Sequence, residues 1–164
     1  MTQESFLVNL QTNVSVTSKN PPIISVSVKN THSSEVATIL KWESPLDPAA
    51  LALGLVSVIP AGTTEPIRIN ALKISRAMPP GSESLVTLGP GESATNTLEL
   101  REPIVPGSVW ASGDPATVWL SGRWMAVWLG LTKDDLQKDM QKLQAVGAGV
   151  GSLIGRWESN KVLI

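Results

Sequence analysis

The sequence contains no cysteine, no tyrosine, one histidine and one phenylalanine. The absence of cysteine excludes disulfides, thiolate nucleophiles, iron–sulfur clusters and every zinc site that uses thiolate ligands. A single histidine is too few for most histidine-based metal binding and acid–base chemistry. The packing of the core must therefore supply the stability of the fold.

An excess of charge of either sign is also lacking. The 13 Lys and Arg residues are balanced by 14 Asp and Glu residues, which gives a formal net charge of −1. No strong positive field attracts a phosphate backbone, so we predict no nucleic-acid partner. The 164 residues with 42% hydrophobic content predict one globular domain over 1–164, with residues 1–20 as a loosely attached N-terminal strand.

Long hydrophobic runs are absent too. The longest run, over residues 49–59, is interrupted by Ser57 and is far shorter than the ~20 residues that cross a bilayer. We therefore predict no membrane span. The first residues do not combine a basic region with an apolar segment and a cleavage site. We expect a cytoplasmic protein, with secretion as the alternative if a leader has been removed.

Short pieces of strand-like composition fill most of the chain. Thirteen glycines and twelve prolines separate segments that are rich in Val, Ile, Thr and Leu. Ile24, Val26 and Val28 alternate with polar residues, which predicts a half-buried strand. Turn-forming residues follow, and the apolar pattern returns over residues 36–42. We predict that these two strands form a hairpin, with His32 at its tip.

Two later segments extend the strand pattern. Ile67 and Ile69 alternate with polar residues and predict another strand, which ends at the prolines after Met78. Residues 118–129 are apolar on both faces, as a central strand requires. Gly122 is a candidate bulge that would reset the two faces of this strand.

One helix interrupts the strands. Thr132 is a suitable N-cap, and leucine and methionine follow at helical spacing, which predicts a helix from about Lys133 to Val146. A glycine-rich connector over residues 147–155 then leads to a last strand near Trp157. The whole pattern predicts a mainly β protein: an antiparallel two-sheet immunoglobulin-like β-sandwich with one inserted helix before the last strand.

Four segments carry a resemblance to a known family: LKWESPLD at 40–47, LGPGES at 88–93, SGRWMAVW at 121–128 and ESNKV at 158–162. They resemble the N-terminal prodomain of fungal deuterolysin-type zinc peptidases and its free-standing relatives, roughly over residues 22–164. In that family the segment is a β-sandwich that helps a peptidase domain fold or keeps it silent. The His-Glu-x-x-His zinc helix of the peptidase domain is missing here. The resemblance therefore implies a prodomain-like module with no catalytic activity of its own.

The residues themselves give little support to an enzyme. His32 lies among turn-forming residues, without an acidic residue to orient it. Asp134, Asp135 and Asp139 lie in the first turns of the predicted helix, where the helix dipole favours carboxylates. We predict no catalytic residues, no cofactor and no metal site.

Recognition of a partner is the remaining class of function. The proposed contact residues lie in predicted loops and turns, or near chain ends: Trp42, Pro45, Asp47, Met78, Trp110 and Trp157. The leading hypothesis is a protein-binding module that masks, inhibits or assists a partner such as a peptidase, or forms a homodimer through its strand edges. Two alternatives remain: a carbohydrate- or small-ligand-binding lectin-like sandwich that uses Trp110 and Trp157, and a self-assembling structural protein.

Overall fold

Two antiparallel sheets pack face to face, each presenting the aliphatic side of its alternating strands to the other. The structure is a computed structural model that describes residues 6–146 and 151–164. In the first sheet, β2 (Pro22–Asn30) lies between β1 (Leu10–Lys19) and β6 (Ser93–Glu99). The predicted two-sheet, mainly β architecture is confirmed.

The second sheet is built on the long strand β7 (Thr117–Leu129). Its partners are β3 (Ala37–Leu40), β4 (Val56–Ile59), β8 (Leu153–Glu158) and β9 (Val162–Leu163), and β5 (Leu85–Leu88) pairs with β3. β4 and β9 pair with the first residues of β7, β8 with its middle, and β3 with its end. β7 is therefore the central strand that its apolar faces predict.

The predicted hairpin between β2 and β3 is wrong, because these strands belong to different sheets. β2 is already paired with β1 on one side and β6 on the other, so the chain must cross to the second sheet. Asn30 stabilises the crossing, since its buried amide donates hydrogen bonds to the carbonyls of Glu35 and Leu88. His32 follows and is half-buried. Its Nδ1 atom accepts hydrogen bonds from the backbone N–H groups of Ser34 and Glu35.

The two faces of β7 exchange roles along the strand. Val118, Leu120 and Trp124 point into the main core between the sheets. After Trp124 the register with β8 shifts, and Val127 takes over that face. Trp128 then points to the opposite side. The bulge that we expected at Gly122 thus lies a few residues later, between Trp124 and Val127.

The predicted single helix over 133–146 is two short helices, α1 (Lys133–Gln137) and α2 (Met140–Gln144). The chain leaves helical geometry at Asp139, whose φ is −128° and ψ is 80°. The break between the two helices lets each of them bury one leucine, Leu136 or Leu143, in a second apolar cluster, while Met140 stays exposed. Its buried members are Leu40, Trp42, Leu85, Ala126, Trp128, Leu136 and Leu143.

Both ends of the chain contribute more to the fold than their sequence predicts. β1 pairs with β2 along its whole length, and Phe6 is buried, so the expected loose attachment of residues 1–20 is wrong from Phe6 onward. Gly155 lies inside β8, so the predicted connector ends earlier than expected. Residues 1–5 and 147–150 lie outside the described residues.

A side-chain amide joins the two sheets near the C-terminus. The Asn160 Oδ1 atom accepts a hydrogen bond from the Val14 backbone N–H at 2.7 Å, and its Nδ2 donates to the Val14 carbonyl at 3.0 Å. The amide thus offers β1 the donor and acceptor that a neighbouring strand would offer. Within the described residues, no helix is long and apolar enough to cross a membrane.

Candidate interaction site

The connection between β4 and β5 contains a long extended segment, residues 66–78, which we call the strap. Residues 66–77 contain no turn, bend or strand, although the alternation at Ile67 and Ile69 predicts a strand. Two backbone hydrogen bonds hold the strap: the Ile67 N–H donates to the Val58 carbonyl, and the Leu72 N–H donates to the Ala52 carbonyl. The other backbone N–H groups over residues 68–77 have no hydrogen-bond partner within the described chain.

An ion pair anchors the second half of the strap. The Arg76 guanidinium donates to Asp47 Oδ2 at 2.8 Å, and the Asp47 carboxylate is fully buried. The same guanidinium lies over the Trp42 ring, 5.6 Å from its centroid. Asp47 also accepts hydrogen bonds from the backbone N–H groups of Glu43 and Ala49, both at 2.9 Å. Its charge is therefore fully matched by donors.

The chain corner under this ion pair, residues 41–47, is a closed polar network. Asn96 of β6 donates to the carbonyls of Pro45 and Asp47. Glu43 has a φ of 58°, and its carbonyl accepts a hydrogen bond from Trp157 Nε1 at 3.0 Å. The corner thus links both sheets to the strap.

Gly122 of β7 makes room for that Trp157 contact. A Cβ atom added at Gly122 would lie 2.8 Å from the Trp157 ring, closer than such atoms can approach. The Trp157 ring also packs against Trp124, with 6.2 Å between the ring centroids. A glycine in the middle of an apolar central strand is the sequence signal that could have pointed to this buried tryptophan.

Four of the six residues proposed as partner contacts are buried, so their predicted exposure is wrong. The structure brings them together around the corner: Trp42, Pro45, Asp47 and Trp157. They are buried because each ring packs in the interior and each polar group of the corner finds an internal partner. Their contacts stabilise the fold.

The outer side of the strap is exposed and apolar. Leu72 is 61% exposed, Ile74 is 40% exposed, and Met78, one of the proposed contact residues, is 51% exposed. Exposed large apolar side chains this close together are typical of interaction surfaces. No acidic residue occurs over residues 66–82, whereas Arg68, Lys73 and Arg76 do. The strap therefore combines unpaired backbone, apolar side chains and positive charge.

The remaining candidate, Trp110, lies away from the strap. It is half-buried and lines a cleft of about 150 Å³ together with Pro21, Pro22 and Leu100. Trp157 is buried in the main core and does not line this cleft, so the predicted pair of exposed sugar-stacking tryptophans is not formed. Within the described residues, no group of three His, Cys, Asp or Glu side chains is placed to hold a metal ion.

Comparisons with known proteins agree with the architecture. A family model described as an immunoglobulin-like domain matches residues 9–164. An uncharacterized secreted protein of Arthroderma benhamiae is 33% identical over 81 residues, which are 49% of this chain and 40% of that relative. The chain thus matches less than half the length of that protein.

Proposed function

Because this chain belongs to the immunoglobulin-like domain family, we propose that it is a binding module that docks a partner protein through the strap. The observation that carries the proposal is the strap's row of unpaired backbone N–H groups beside three exposed apolar side chains. Extended backbone of this kind accepts an added strand, in which main-chain hydrogen bonds supply affinity and side chains supply specificity. The fixed corner beneath it holds the strap in place before the partner binds.

The charge of the strap specifies the chemistry of the partner. Arg68 and Lys73 have no acidic neighbour in the segment, whereas Arg76 is already paired with Asp47, so an extended partner segment with alternating acidic and apolar residues complements the charge of Arg68 and Lys73. Antiparallel pairing of two straps in a symmetric dimer would bring no acidic residue to either strap, and in some registers it would place cations opposite each other, such as Arg68 opposite Lys73. Like charges directly opposite one another destabilise paired strands. We therefore favour a heterologous partner over a homodimer at this surface.

A pair of peptides tests the proposal. We expect a heptapeptide of alternating Glu and Val to bind saturably in isothermal titration calorimetry, and its Lys-for-Glu counterpart to bind far more weakly. The Leu72→Asp substitution should weaken binding about tenfold or more, because it places a charge against the apolar and acidic peptide. Leu163→Asp is the matched control, since Leu163 is 62% exposed on β9. Equal binding of both peptides, or equal losses in both variants, would overturn the proposal.

A peptidase is one partner to examine first. The resemblance to the deuterolysin prodomain supports this choice, and the proposal is that the strap of this chain masks such an enzyme. We expect dose-dependent loss of activity when the chain is mixed with a deuterolysin-type peptidase, and weaker inhibition by Leu72→Asp. Unchanged turnover at a large molar excess would remove the peptidase as partner and leave the peptide-binding proposal to its own test.

We also propose that the protein acts outside the cell, in place of the cytoplasmic location expected from the sequence. The description of the Arthroderma relative as a secreted protein supports this. The absence of cysteine is compatible with it, because the core is closed by apolar packing and hydrogen bonds. Detection of the native protein in the culture medium of its producing cells, without a cytosolic marker, is the expected result.

A second candidate function rests on the Trp110 cleft. A half-exposed indole beside two prolines can stack on a sugar ring or hold a small apolar ligand. If this candidate is correct, a sugar should shift tryptophan fluorescence, and Trp110→Ala should abolish the shift. Loss of peptide binding in the same variant would instead place Trp110 in the protein-binding surface.

A further inference from the structure

The pairing of β7 with β8 places two arginines directly opposite each other. Arg123 and Arg156 are partners in the antiparallel register, so both side chains lie on the same face of the sheet. Both are exposed, Arg123 by 63%. Like charges directly opposite each other destabilise a strand pair, so this arrangement costs stability in the free protein. Such a cost is often retained where a charge has a binding role.

The protein neutralises this pair only in part. Arg123 forms one ion pair, with Glu43 Oε2 at 3.3 Å, and that pair is exposed and therefore weak. The Arg156 guanidinium makes no ion pair or side-chain hydrogen bond within the part of the chain that the structure describes. Glu158 lies two residues further along β8, on the same face, and it pairs with neither arginine. One guanidinium is thus left with all its donors available.

An apolar cleft lies beside the two guanidinium groups. Its volume is about 320 Å³, within the usual range of about 300–1,000 Å³ for small-molecule sites. The lining consists of the two arginines, three apolar side chains and one glycine: Arg123, Trp124, Met125, Ile154, Gly155 and Arg156. Positive charge at one side and hydrocarbon at the other define the ligand as an anionic group on an apolar body.

We propose that this cleft binds a carboxylate attached to an aliphatic chain, of the fatty-acid type. The planar guanidinium fork matches the geometry of a carboxylate and can donate two parallel hydrogen bonds to it. The ligand's chain would cover Met125 and Ile154, and its charge would relieve the repulsion between Arg123 and Arg156. This site is separate from the strap, so it can be correct or wrong independently of the proposed docking function.

Titration with octanoate, octanol and octylammonium tests the site. We expect octanoate to bind saturably in isothermal titration calorimetry, and the neutral and cationic analogues to bind at least about tenfold more weakly. Arg156→Gln should weaken octanoate binding about tenfold or more, and Arg156→Lys should fall between wild type and Gln because it keeps charge without the fork. Lys29→Gln removes an equal charge from the exposed side of β2 and should leave binding unchanged.

A stability readout separates loss of the site from loss of the fold. Arg156→Gln should unfold at the same temperature as the wild type or higher in the absence of ligand, since it removes a like-charge pair. Octanoate should raise the unfolding temperature of the wild type by more than it raises that of Arg156→Gln at the same concentration. Leu72→Asp should keep full octanoate affinity. Equal affinity for octanol, undiminished binding by Arg156→Gln, or no saturable octanoate binding would overturn the proposal.

Discussion

The strap and β8 are both extended segments that combine apolar and charged residues, yet they differ in how the protein holds them. β8 pairs with β7 residue by residue, and the amide of Asn160 then ties the following residues to β1. The strap is held by two backbone hydrogen bonds and one ion pair. The comparison shows that alternation alone does not determine whether a segment joins a sheet. Polar anchors at single residues determine where an unpaired segment lies.

The largest expected effect is the loss of the strap's buried anchor. Asp47→Ala leaves Arg76 and two backbone N–H groups without their acceptor, and we expect it to destabilise the fold by about 3 kcal/mol. Denaturant unfolding measures this change. Asp114→Ala, at an exposed position before a proline, should change stability by less than about 0.5 kcal/mol. Similar stability of both variants would show that the strap does not depend on this anchor.

Much of the architecture could be predicted from the sequence, because burial follows alternation where strands are regular. β2 and β7 lie close to the segments predicted for them, and they belong to different sheets, as a two-sheet architecture requires. The pairing of β2 could not be predicted, since the choice of neighbour depends on which edges remain open after the whole sheet assembles.

The candidate site was harder to predict than the fold. Asp47 precedes a proline and its sequence context is that of a surface turn, but its carboxylate is buried because Arg76, 29 residues away, neutralises it. No local pattern marks such a partner. The turn context of Met78 predicts its exposure, whereas Leu72 and Ile74 lie in a segment whose pattern predicts an ordinary strand. Their exposure depends on the strap remaining unpaired, and that depends on tertiary contacts.

A second prediction contrasts two asparagines, one beside β8 and one in the strap. Asn160→Ala removes both hydrogen bonds to Val14, and we expect a loss of about 1–2 kcal/mol, because two backbone groups of β1 lose their partner. Asn70→Ala, in the strap, should change stability by less than about 0.5 kcal/mol, since its side chain has no partner within the described residues. Equal stability changes in the two variants would mean that the Asn160 hydrogen bonds to Val14 do not stabilise the contact between the sheets.

The smallest expected effect concerns a carboxylate that accepts backbone hydrogen bonds as Asp47 does, but at the surface. Asp135 completes the cap of α1, where hydrogen bonds from Thr132, first from its backbone N–H, lower the pKa of the Asp135 carboxyl. A lowered folded-state pKa means that this stabilisation is present above the carboxyl's ordinary pKa and is lost as pH falls through the lowered value. Asp135→Asn should therefore be less stable than wild type near neutral pH, and the difference should shrink in acid. Asp134→Asn, in the same turn but without a side-chain hydrogen bond, is the matched control in denaturant unfolding over the same pH range. If both variants follow the same pH course, the helix dipole rather than the capping hydrogen bond controls the titration, and the contrast between buried and exposed anchors would rest on Asp47 alone.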